Sequence, residues 1–207
     1  MPPLSPLPNT PEAPLPSAPL ALPLPADTTL MIVDVQERLL PAMPAEEQPL
    51  ILKHLDNLVA LFGDMGGRIV CSEQYPKGLG PTVAPLAAAL AAIADPGRVS
   101  RLEKVEFSVM QCPAVAALGD AIARDVVLTG METHVCVLQT GLDLLARGHR
   151  VWVPFDAVAS RRAAYRENGL ALLQRAGAVI VNTESLVFRA LGRAGTDVFK
   201  KFSARIR

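Results

Sequence analysis

Asp34, Lys104 and Cys136 are the residues whose types and placement offer chemistry in this sequence. Cys136 lies in TGMETHVCVLQTGLDLLARG, where the apolar pattern predicts an amphipathic helix over 133–147, directly after the apolar run that opens at Asp125 and closes at Gly130. The first turn of a helix presents unpaired N–H groups and the positive end of the peptide dipole, so a depressed thiol pKa is expected there. A thiolate so placed is a nucleophile for a carbonyl carbon. Taken alone, a small apolar Cys packs in a core and does nothing, so its partners decide. Asp34 follows four apolar residues in LMIVDVQ, and Lys104 closes a third apolar stretch in RLEKVEFSVM. Each has an ordinary alternative, an N-cap for the acid and a solvent-seeking side chain for the lysine.

The elements that must bring these three together follow from the alternation along the chain. Short β-branched runs at 28–35, 68–72, 99–105, 125–129, 150–155 and 178–182 read as six strands. Longer Ala- and Leu-rich segments at 46–63, 82–94, 113–123, 133–147, 161–176 and 183–191 read as helices. Continuous apolar strands alternating with helices imply right-handed crossovers and a mainly parallel sheet with helices on both faces. The expected fold is therefore α/β, a three-layer sandwich around six strands of Rossmann-like topology. Ligands in such sheets bind beyond the carboxyl ends of the strands. Asp34, Lys104 and Cys136 follow the first, third and fourth strands, so they share one crevice if the sheet sets those strands side by side.

Composition narrows the partners. The chain has 207 residues, half of them hydrophobic, enough for one domain with a substantial core. Twenty basic and twenty acidic residues give zero formal net charge, and they are interspersed, which argues against a nucleic-acid partner. No apolar run reaches the length of a membrane span. Three cysteines without Cys-x-x-Cys or Cys/His spacing argue against a disulfide framework or structural zinc and for a reducing, cytoplasmic setting. Residues 1–26 hold ten of the nineteen prolines and read as an extended N-terminal arm, with the domain occupying 27–207.

The three chemical residues also carry a resemblance. The acid closing the first strand in IVDVQ, the lysine in EKVEFSVM and the spacing Gly130, Thr133, Cys136, Val137 resemble the isochorismatase-like cysteine hydrolase superfamily over about residues 28–190. The segment SEQYPKGLGPTV and the form GMETHVCV look like the branch of isochorismatase domain-containing proteins 1 and 2. The resemblance implies Cys136 as nucleophile, Asp34 as the base that takes its proton and Lys104 as the cation that holds the thiolate and orients the acid. It implies a cis peptide between Met131 and Glu132, backbone N–H groups of Glu132 and Cys136 as oxyanion donors, no cofactor, and a homo-oligomer of two or more subunits. Nicotinamidases of the superfamily carry an Asp-x-His metal segment after the second strand, where this chain has Ser72-Glu-Gln, so no metal is expected. The expected reaction is hydrolysis of a small-molecule amide C–N bond through a thioester. Gln36, Tyr75 and Phe107 are expected either to wall the substrate pocket or to pack their loops. Glu132 reads as half of an ion pair with Arg161 or Arg162, and Asp156 as a cap. Two other functions stand beside the hydrolase: a redox thiol with Cys71 or Cys112 as resolving partner, and a non-catalytic interaction module that keeps the fold.

Overall fold

A computed structural model describes residues 21–206 of the chain, apart from the side chains at 119–120. Most of the expected proline arm, residues 1–20, lies outside the described residues. Residues 21–26 run onto the domain: Leu22 packs against the core, its carbonyl accepts from Arg189 Nε at 3.1 Å, and Pro25 is buried.

Seven strands form the sheet: β1 (Thr28–Val33), β2 (Arg68–Gln74), β3 (Val99–Lys104), β4 (Asp125–Met131), β5 (Arg150–Pro154), β6 (Val158–Ala159) and β7 (Val179–Val181). The order is β3-β2-β1-β4-β5-β7, every pairing is parallel, and β6 adds to β4 at Gly130 and Met131. The α/β class and the parallel sheet read from the sequence hold. The seventh strand was not foreseen, because two residues are too few to show a period.

β1 and β4 are buried at every position because helices cover both faces, and their side chains alternate between two cores. Leu30 and Ile32 join Ile69, Val127 and the apolar stripes of α1 (Gln48–Asp64) and α3 (Ala84–Ala91). Met31 and Val33 join Val70, Val126 and Leu128 with Leu144 of α4 (Leu138–Ala146) and Leu173 of α5 (Ala163–Arg175). Each such side chain taken fully from water contributes about 1.5 to 3 kcal/mol, the main stabilisation of the layers.

Other differences are local. The helix expected over 113–123 is a 3-10 helix at Pro113–Ala121, entered through Pro113. The helix expected over 133–147 opens with a π-helical turn, Thr133–Val137, before α4 begins. A short helix α2 (Pro76–Leu79) follows β2, α6 (Thr183–Leu191) follows β7, and an unforeseen α7 (Asp197–Ile206) buries Phe202 against Leu61 and Val187.

The sheet order reverses at β1, whose neighbours are β2 and β4, and the crevice opens there. Gly130 lets the strands meet: its φ is +105°, and a Cβ would collide with the backbone of Val33. Gly130→Ala is expected to cost about 3 kcal/mol, a drop of roughly 6 to 12 °C in thermal midpoint by calorimetry. An unchanged midpoint would contradict the close approach.

Candidate active site

β1 delivers Asp34 in a left-handed conformation, φ +54°, in which its N–H donates to the carbonyl of Ser72 at 3.1 Å. Asp is among the few side chains that tolerate this region without a large penalty. The turn aims the carboxylate over β2. There Ser72 Oγ donates to Oδ1 at 2.7 Å and Lys104 Nζ to Oδ2 at 2.7 Å. Both side chains of the ion pair are 0% exposed. Lys104 Nζ also donates to Gln74 Oε1 at 2.6 Å and lies within reach of the carbonyls of Glu106, 3.2 Å, and Phe107, 3.3 Å. A buried ammonium surrounded by acceptors in this way has its desolvation offset by one charge and several dipoles.

β4 delivers Cys136 from its neighbouring position. Its last peptide bond, Met131 to Glu132, is cis, and the π-helical turn follows at once. The carbonyl of Glu132 accepts from the N–H groups of Val135 at 3.0 Å and Val137 at 3.2 Å, which tightens the turn around the cysteine. Thr133 Oγ1 donates to the carbonyl of Ala159 at 3.0 Å and locks the turn onto β6. Gly169 of α5 lies against the backbone of Thr133 and His134 where a Cβ would crowd it. Cys136 is 6% exposed, and the charges of Asp34, Lys104 and Glu132 all act on its thiol.

The expected depressed thiol pKa is wrong. Burial pushes the Cys136 thiol up to about 12; the negative charge of Asp34 adds to this, and the Lys104 ammonium offsets only part. Helix-end arguments fail here because the sulfur is removed from water and the charge of Asp34 opposes ionisation more than Lys104 favours it. The thiol is therefore protonated throughout the neutral range. Labelling of Cys136 by iodoacetamide should keep accelerating past about pH 9, where an ordinary thiol levels off. Peptide-resolved mass spectrometry reads the rate, and a plateau below about pH 8 would contradict the assignment. By linkage, the raised value contributes stability that is intact below the ordinary 9.0 and is lost as pH rises towards about 12.

The flanking charges are paired. Glu132 is buried, and its carboxylate accepts from Arg161 N at 3.0 Å and Nε at 3.1 Å, with Arg161 Nη2 3.0 Å from Oε1. This is the ion pair expected of Glu132, and it ties the cis-peptide turn to the segment after β6. His134 Nδ1 lies 3.0 Å from Ser160 Oγ, and its ring lies 4.8 Å from Tyr165. His149 Nδ1 lies 2.9 Å from the carbonyl of Ala123. Asp156 accepts from Thr183 N and Oγ1 and so holds the start of α6.

Comparison with known proteins gives the family. The isochorismatase domain model matches residues 28–185. The chain belongs to the isochorismatase family. Members of that family related to it are hydrolases. Isochorismatase domain-containing protein 1 of Salmo salar is 34% identical over 89% of this chain, which spans 62% of that relative's length. Isochorismatase domain-containing protein 2A of Mus musculus is 33% identical over 89% of this chain and 84% of its own. A solved structure described as MAR1 ribonuclease from Caenorhabditis elegans superposes with a TM-score of 0.79 at 31% identity, covering 90% of this chain and 92% of that one.

Within this isochorismatase-family site, the three residues expected to line a pocket separate. Gln36 takes the packing alternative: it is fully buried, its Nε2 donates to the carbonyls of Gln74 and Gly80, and its Oε1 accepts from Gln74 N at 2.8 Å. It is a strut that ties the loop after β1 to the end of β2 and the segment after it, with both side-chain polar atoms engaged. Tyr75 is exposed and walls a pocket of about 440 Å³ with Lys104, Val105, Glu106, Cys112 and Pro113. Phe107 is exposed, and its carbonyl faces Lys104. Ser72 and Gln74 were missed as site residues. The available signal was their spacing of two at the end of a strand, which puts both on one face. Among the described residues, no group of three or more His, Cys, Asp or Glu is placed to hold a metal ion, and no helix is long and apolar enough to cross a membrane.

Proposed function

We propose that this chain is a cysteine hydrolase that cleaves the C–N bond of a small, non-peptide amide through a thioester on Cys136. The observation that supports the reading is the buried Asp34–Lys104 ion pair beside a buried Cys136 thiol on which both charges act. Asp34 accepts the Sγ proton as sulfur attacks the carbonyl carbon, so the thiol does not need to ionise beforehand. A thiol pushed up to about 12 fits proton transfer concerted with attack. The oxyanion is received by the backbone N–H groups of Glu132 and Cys136. Asp34 then gives the proton to the departing nitrogen, and the C–N bond breaks. In the second half Asp34 takes a proton from water, the hydroxide adds to the thioester, the C–S bond breaks, and the proton returns to sulfur. The sum is amide plus water to carboxylic acid plus amine. Lys104 holds Asp34 in place. The homo-oligomer implied by the resemblance belongs to the proposal and is read by light scattering.

The redox alternative has less support, because a protonated buried thiol reacts slowly with peroxide, and burial also pushes Cys71 up to about 11. The nematode protein's name raises RNA as a second substrate class. The zero net charge of this chain disfavours it, because counter-charge on phosphates dominates nucleic-acid affinity. Incubation with a panel of primary amides and an RNA oligonucleotide separates these readings. Acid and amine release from an amide is expected; RNA cleavage without amide turnover would overturn the proposal.

A further inference from the structure

β1 and β3 are not neighbours, because β2 runs between them. At about 4.8 Å per strand, Asp34 and Lys104 start from backbones roughly 10 Å apart. Their contact crosses the end of β2. Register places Ser72 beside Val33, the residue before Asp34, and Gln74 beside Lys104. Being two apart, Ser72 and Gln74 stand on the same face of β2, beneath the bridge. Cys71 and Glu73 turn the other way, to the hydroxyl of Thr82.

We infer that Ser72 and Gln74 are positioning residues for the catalytic pair, one holding the carboxylate and the other the ammonium; this rests on the Cys136 hydrolase reading. Each oxygen of Asp34 receives one donor, Oδ1 from Ser72 and Oδ2 from Lys104. The carboxylate plane is thereby fixed, and rotation away from the thiol breaks one of the two bonds. Gln74 fixes the other end. Its Nε2 donates to the carbonyl of Val105 at 2.9 Å, so its Oε1 is turned to Lys104 Nζ. Its backbone N–H is in turn held by Gln36. A lysine stem has four rotatable bonds, and without this acceptor the ammonium is left to Asp34 and the longer contacts with the carbonyls of Glu106 and Phe107. The arrangement confines both partners to the rotamers in which they meet. Positioning of this kind affects the chemical step more than binding, because neither residue needs to touch substrate.

Burst acylation by p-nitrophenyl acetate tests this without a known natural substrate. Wild type, Cys136→Ala, Ser72→Ala, Ser72→Thr and Gln74→Met are compared across pH 5 to 9, with thermal midpoints measured in parallel. Wild type should give a burst that Cys136→Ala lacks. Ser72→Ala and Gln74→Met should each acylate roughly 10-fold more slowly with little change in apparent KM. Ser72→Thr, which keeps the hydroxyl, should return to within about threefold of wild type. Lower thermal midpoints with unchanged rates, or a threonine variant no better than the alanine one, would overturn the positioning role while leaving the nucleophile assignment standing. A burst retained by Cys136→Ala, or absent from wild type, would overturn both.

Discussion

Asp34→Asn is expected to abolish turnover and to destabilise the fold together, with a loss of about 3 to 5 kcal/mol. The pair with Lys104 is wholly buried, so removing the carboxylate leaves an ammonium with no counter-charge and no water. Removing one partner of a buried pair is costlier than removing both, because the cost lies in the orphaned charge. Asp34→Asn combined with Lys104→Met should therefore recover part of the lost stability in urea unfolding while recovering none of the rate. The catalytic loss is expected to be about 10²- to 10⁴-fold, the usual contribution of a placed proton acceptor. Equal stability losses in the single and double variants would show that the cost lies in packing rather than in charge.

Cys136→Ala should remove turnover entirely while folding normally. Its side chain is small, and the truncation deletes one buried atom, a loss of about 1 kcal/mol. The opposite balance from Asp34→Asn follows from the proposed mechanism, in which the acid serves the fold and the reaction, and the thiol serves the reaction. Cys136→Ser separates nucleophilicity from hydrogen bonding, because the hydroxyl keeps a donor for Asp34 but attacks carbonyls far less readily. A residual rate at least about 10³-fold below wild type is expected for it, measured on any amide that wild type hydrolyses. A serine variant within tenfold of wild type would show that sulfur takes no part.

How much of this was legible in the sequence depended on the range of each interaction. The apolar runs around Ile32 and Val127 gave the central strands and hence the class of fold, because burial on both faces leaves an unbroken hydrophobic signal. Asp34, Lys104 and Cys136 were legible as strand-end residues, and the parallel order then carried two of them to one another across β2. Gln36 was left open between pocket and packing because a strand-end polar residue looks the same whether it faces a ligand or bonds backbone across a turn; that choice depends on where residues 74 and 80 fold. The thiol pKa misled for a related reason. Helix position is local, whereas burial and the charge of Asp34, 102 positions earlier in sequence, are products of the tertiary fold. Ser72 and Gln74 were visible only as alternation within a short strand, a pattern shared by every strand in the sheet.

The nucleophile assignment is tested most directly by acid quench of the enzyme during turnover of an amide or activated ester, followed by intact mass measurement. A mass increase equal to the acyl group, mapped to the peptide containing Cys136 and absent from Cys136→Ala, is the predicted result. Steady turnover by Cys136→Ala at the wild-type rate, or an acyl group mapped elsewhere, would contradict it.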